Sequence, residues 1–247
     1  MRTDRIYEQS TGHAKSMKLE TLNEIAKSIC KIDIKGIRSS GFFLKIGDNE
    51  KPIYMLVTAN HVIPKKLVEI KKKIKIIPDI GNLEEEITLN SNERKIICLE
   101  DKDVSAVEII EKDKIKNKVK FLNYDTSCNN LTYGNYLGVD TFILHHPNGE
   151  DLECNSGRIF RIKDPKIFEF VHTLDTQKGS SGSPILLFPK VDEEPNVIGI
   201  HTSFVEGKSN NIGTFIDVLI DDVKNNYFVN NNNKFELPKK SKILIMP

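Results

Sequence analysis

The stretch that decides the reading of this chain is Gly179-Ser180-Ser181-Gly182-Ser183-Pro184. A serine hydroxyl is a poor nucleophile alone: it needs a base to take its proton and fixed donors for the oxyanion formed as it attacks a carbonyl. Gly179 and Gly182 flank Ser181 and let the backbone bend tightly, because glycine has no Cβ to forbid unusual dihedrals. Such a turn aims the amides of Gly179 and Ser181 at one point, as an oxyanion requires. Gly/Ser clusters also mark ordinary loops, so the motif acquires meaning only from its surroundings.

Two other segments supply those surroundings. Val57-Thr58-Ala59-Asn60-His61-Val62-Ile63 sets a histidine at the end of an apolar run, Ile53 to Val57, that reads as a buried strand. Asp103-Val104-Ser105-Ala106-Val107-Glu108-Ile109 opens a strand with a carboxylate. Each residue has a plainer reading: His61 as a satisfied core imidazole, Asp103 as a solvated charge beside Glu100, Asp101 and Lys102. Ser180 and Ser183 are rival nucleophiles, but only Ser181 stands between the two glycines.

The three segments together resemble chymotrypsin-type serine peptidases: T-A-x-H for the base, D-[VI]-x-[AV]-[VL] for the orienting carboxylate, G-x-S-G-x-P for the nucleophile, in the order His, Asp, Ser. The resemblance spans roughly Gly36 to Asp222. It implies an all-β fold of two six-stranded antiparallel β-barrels, with His61 and Asp103 on the first, Ser181 on the second and the cleft between them. The expected layout is an N-terminal extension with a helix over 1–35, a first barrel over 36–120, a second barrel with a C-terminal helix over 121–229, and a polar tail over 230–247. The helix is read from Leu22, Ile25, Ala26 and Ile29 at helical spacing within Met17 to Ile29. A second is read over Asp217 to Asn225. The connection between barrels is expected near Asn117 to Leu131, and Asn230 to Asn233 form a polar linker.

The implied activity is that of a serine endopeptidase, with Ser181 attacking, His61 shuttling the proton and Asp103 orienting the imidazole. The alternative is a catalytically silent copy of the fold acting as a peptide-binding module, since a fold does not fix a function. For the substrate pocket, Thr176 and His201 resemble the T-x-x-G-x-[SC]-G and G-[IL]-H segments of glutamyl endopeptidases and viral 3C-like proteases, where a threonine and an imidazole bind Glu or Gln. Asp175, six residues before Ser181, competes as the position that takes a basic residue in trypsin. In zymogen-type relatives an aspartate precedes the nucleophile and pairs with a new N-terminal amine. Here that residue is Ser180, so activation by that route is not expected.

Leu144-His145-His146-Pro147-Asn148-Gly149 reads as a strand ending in a structural turn. Adjacent strand residues face opposite ways, so His145 and His146 do not share an ion, and no metal or cofactor is expected. The formal net charge of +1 gives no general attraction to nucleic acid or anionic membrane. The expected partner is a protein or peptide substrate, with room for a regulatory partner at the N-terminal helix. Cys30, Cys98, Cys128 and Cys154 are scattered, and the N-terminus carries no apolar stretch of signal-peptide length. These features predict free thiols and an intracellular, cytoplasmic protein.

Overall fold

The computed structural model describes residues 17–47, 50–129, 131–164, 168–188, 193–204 and 211–228. The polar run Asn230 to Asn233 and the tail lie outside them. A first sheet holds seven strands: β1 (Ile29–Ile34), β2 (Ile37–Ile46), β3 (Ile53–Ala59), β4 (Lys73–Pro78), β5 (Glu85–Thr88), β6 (Ile96–Leu99) and β7 (Val104–Glu108), in the order β5-β4-β1-β2-β3-β7-β6. A second holds β8 (Asn123–Tyr124), β9 (Asp140–His145), β10 (Glu153–Asp164), β11 (Glu169–His172), β12 (Pro184–Leu187), β13 (Asn196–Phe204) and β14 (Asn211–Phe215). Its order is β12-β9-β10-β11-β14-β13-β8, and the further β12–β13 pairing closes six of these strands into an antiparallel barrel. The first sheet curls as a half-barrel, with no ladder between β5 and β6 among the described residues.

Alternation along the strands explains three apolar clusters. On β2, Phe42, Leu44 and Ile46 point to one side and Phe43 to the other. Phe43 joins Ile32, Leu56, Ile74, Ile87 and Val107 in the core of the first half. Phe142, Leu186, Val197 and Ile200 of the second half meet Phe42, Leu44, Met55 and Val57 in a shared core. Ile143, Ile159, Phe170, Ile185 and Phe215 fill the second barrel. The two halves are thus joined through apolar surface, which fixes the cleft between them.

Helix α1 (Leu19–Ala26) docks through the buried Ile25, and α2 (Asp217–Val223) packs Val218, Leu219, Ile220 and Val223 into the shared core. The N-terminal helix ends before Ile29 because Ile29 already pairs with Phe42 in the β1–β2 ladder. The first sheet therefore begins ahead of the boundary expected at residue 36. The β1–β2 turn runs through Lys35 and Gly36, both with positive φ, as a tight two-residue hairpin demands. The connection between halves runs from the end of β7 into Leu122, which bridges Leu44, and then into β8.

Candidate active site

Strand register brings His61 and Asp103 together. β3 and β7 are antiparallel with Ala59 opposite Val104, so the residues just after β3 lie beside those just before β7. The Asn60 amide donates to the Asp103 carbonyl at 3.1 Å, and the His61 amide donates to Asp103 Oδ1 at 2.9 Å. His61 Nδ1 stands 2.8 Å from Asp103 Oδ2. Asp103 itself adopts a left-handed conformation (φ 52°, ψ 43°) at the end of a 3-10 turn over Glu100–Lys102. That turn is tied to the second barrel by Thr214, whose hydroxyl donates to the Lys102 carbonyl at 2.9 Å. The side chains remain accessible, 51 % exposed for His61 and 32 % for Asp103.

Ser181 sits in a turn that only glycines permit. Gly179 and Gly182 both have φ of +91°. A Cβ on Gly182 would stand 2.1 Å from Thr58 Oγ1 and 2.4 Å from the Ser40 carbonyl oxygen; one on Gly179 would stand 2.7 Å from the Gly149 amide nitrogen. The Ser181 turn is therefore pressed against β2 and β3 of the first half, on the cleft that His61 also lines. Ser40 fastens it: its amide donates to the Ser181 carbonyl at 3.1 Å, and its hydroxyl to the Gly179 carbonyl at 2.8 Å.

The Lys178 carbonyl accepts from the Asn148 amide at 2.5 Å. A planar trans peptide points its N–H away from its C=O, so the Gly179 N–H faces away from Asn148. Among the described residues neither the Gly179 N–H nor the Ser181 N–H meets an acceptor. Ser181, His61, Gly179, Thr176 and His201 line one cleft of about 920 Å³, completed by Ile34, Ile37, Leu67, Phe204 and others. Among the described residues no hydrogen bond joins the His61 and Ser181 side chains.

The same arrangement of paired sheets occurs in solved serine proteases. The active form of the Rv3671c protease from M. tuberculosis superposes with a TM-score of 0.57 at 14% identity, over 82% of this chain and 82% of that one. Deg5 gives 0.57 at 19% identity, over 85% and 94%, and a Glu endopeptidase complexed with MPD gives 0.57 at 17%, over 81% and 89%. The fold is that of the chymotrypsin-like serine proteases. No family model and no curated protein sequence matches the chain.

In this chymotrypsin-like frame, the three expected substrate-pocket residues part company. Thr176 and His201 share the cleft wall with Ser181, whereas Asp175 is exposed and absent from that lining. Asp175 contributes a backbone carbonyl to Asn155 Nδ2, at 3.4 Å. His201 is buried, and its Nδ1 lies 3.2 Å from His172 Nε2. Burial, reinforced by the neighbouring imidazoles, pushes His201 down to about 3 and His172 well below the usual histidine range, so both rings are neutral at pH 7. His172 escaped the sequence reading, because nothing local in Phe170-Val171-His172 distinguishes it from a core strand residue. Only the β11–β14–β13 order places it beside His201. Among the described residues no helix is long and apolar enough to cross a membrane, and no cluster has the donors to hold a metal ion.

Proposed function

We propose that the protein is a serine endopeptidase that cleaves peptide bonds through Ser181, His61 and Asp103. The observation carrying this reading is the His61–Asp103 pair, which opens onto the same cleft as Ser181 and two unclaimed amides. Asp103 accepts from Nδ1–H, which leaves His61 Nε2 bare to receive the Ser181 proton. The Ser181 oxygen attacks the scissile carbonyl, and the Gly179 and Ser181 amides stabilise the oxyanion. The imidazolium, held by Asp103, passes its proton to the leaving amine. A water molecule then repeats the sequence and frees Ser181 as the acid product departs.

Thr176 and His201 are proposed to read a Glu or Gln side chain at P1. A buried N–H without an acceptor costs more than a bare ring nitrogen, and His172 Nδ1 is buried without a partner. In the arrangement this reading requires, His172 carries its proton on Nε2 and donates to His201 Nδ1. This leaves a His201 Nε2–H for the substrate. Asp175, exposed and outside the cleft lining, is the weaker candidate, and a basic P1 preference would speak for it. The four cysteines are free thiols, in keeping with a reducing intracellular setting.

One observation favours the alternative of a silent peptide-binding module: the missing Ser181–His61 hydrogen bond. Hydrolysis of a denatured protein substrate by the parent chain and by Ser181→Ala separates the two. Cleavage by the parent alone supports the peptidase; binding without cleavage supports the module.

A further inference from the structure

The turn over His145–Gly149 reads in sequence as a plain hairpin end, yet it holds the Ser180 hydroxyl, the Lys178 carbonyl and the Gln177 side chain of the loop before Ser181. Ser180 is fully buried, and its Oγ lies 2.7 Å from His145 Nδ1. The same oxygen accepts the Gln177 amide at 3.0 Å, closing the Gln177–Ser180 turn, in which the Ser180 amide returns to the Gln177 carbonyl at 3.0 Å. His145 is held in turn: its Nε2 lies 2.9 Å from Asn155 Nδ2 on β10. Three residues further on, the Asn148 amide donates to the Lys178 carbonyl, and Asn148 Nδ2 donates to Gln177 Oε1 at 3.0 Å. The His146 amide donates to Ser40 Oγ at 2.9 Å, and that hydroxyl takes the Gly179 carbonyl.

We propose that His145 and Ser180 form an uncharged latch that, with Asn148, holds the Gln177–Ser181 loop with its Gly179 and Ser181 amides turned into the cleft. His145 and Ser180 are positioning residues: they touch the loop that carries the reacting groups, never the substrate. The carbonyls of Lys178 and Gly179 are the groups that would enter the cleft if this loop turned over. Both are claimed from outside it, by Asn148 and Ser40. The Ser180 hydroxyl fixes the remaining freedom by joining the Gln177 amide to a ring anchored on β9 and β10. No ion pair takes part. Burial and the neighbouring His146 lower His145 to about 4, so its ring is neutral at pH 7. The site is thus set by contacts within the folded chain, with no new terminus required.

The inference rests on the peptidase reading only for its consequence, so the test has one readout that needs no activity. Amide hydrogen exchange at Ser180 and Asn148 is to be compared in the parent, Ser180→Ala, His145→Leu and His145→Asn. Loss of the latch is expected to speed exchange at both amides by about 10-fold or more, as local opening becomes easier. His145→Asn, which keeps a polar atom near the Nδ1 position, is expected to recover most of the protection. A peptide boronate, whose adduct places an oxygen in the oxyanion site, is expected to bind Ser180→Ala and His145→Leu about 10–100-fold more weakly, with kcat reduced in parallel and KM little changed. Parental exchange rates in Ser180→Ala and His145→Leu would overturn the latch whether or not Ser181 is reactive. A parent chain that neither cleaves peptides nor captures the boronate would overturn the peptidase reading, with exchange still deciding the latch.

Discussion

Asp103 grips His61 twice, by its side chain at 2.8 Å and by its backbone amide at 2.9 Å, with one carboxylate oxygen for each. The first contact sets which ring nitrogen carries the proton; the second sets where the ring stands. Asp103→Asn keeps an acceptor for one contact and loses the tautomer control of the other. It is expected to lower kcat by about 10⁴, and Ser181→Ala or His61→Ala by about 10⁴–10⁶. Steady-state hydrolysis of a peptide substrate measures all three.

Gly182 packs where no Cβ fits, against Thr58 Oγ1 and the Ser40 carbonyl, at a φ of +91°. Gly182→Ala combines backbone strain with a clash against β2 and β3, and should cost about 2–4 kcal/mol. Denaturant unfolding would show it as a lower midpoint. Lys178→Ala, at a nearby exposed position, should leave the unfolding free energy within about 0.5 kcal/mol of the parent.

The motif residues were legible because their neighbours are local: Ile53 to Val57 announce a buried strand, and glycines at 179 and 182 announce a tight turn. The expected two-barrel, all-β fold followed from those motifs together. Contacts that depend on register across sheets were not legible. His172 meets His201 only through strand order, and Ser180 meets His145 only because the β9 end packs against the Gln177–Ser181 loop. Ile29 shows the opposite limit: its helical spacing with Leu22, Ile25 and Ala26 is real, but pairing with Phe42 claims it for β1.

Acid should weaken the fold. Burial, the leading cause in each case, lowers His145 and His146 to about 4, His201 to about 3, and His172 well below 6.5. Between those values and 6.5 the unfolded chain binds protons that the folded chain refuses, so stability falls as pH drops, by up to about 1.4 kcal/mol per pH unit for each ring. Asp217 works the other way: burial raises it to about 6, so its protonated form favours the folded state below that pH. Asp79, also raised by burial, works in the same direction as Asp217, and four rings against two carboxyls give a net loss. Thermal unfolding should show a clearly lower Tm at pH 5 than at pH 7.5; equal values would contradict the neutral buried histidines.

The proposed P1 preference rests on the Thr176 and His201 side chains that line the cleft. A Leu side chain against Thr176 and His201 would leave them dry at a cost of about 1–3 kcal/mol, so Glu or Gln should be preferred by about one to two orders of magnitude. Cleavage of a peptide library varied at P1 measures it, and His201→Ala should flatten the profile. A basic preference that disappears in Asp175→Ala would reverse the assignment.

The most direct measurement of the central claim is mass spectrometry of the chain after reaction with a fluorophosphonate. The account predicts one adduct on Ser181 in the folded parent, loss of that adduct in His61→Ala and after heat denaturation, and no transfer to Ser180 or Ser183 in Ser181→Ala. A folded parent left unmodified at Ser181, or labelled equally well without His61, would contradict it.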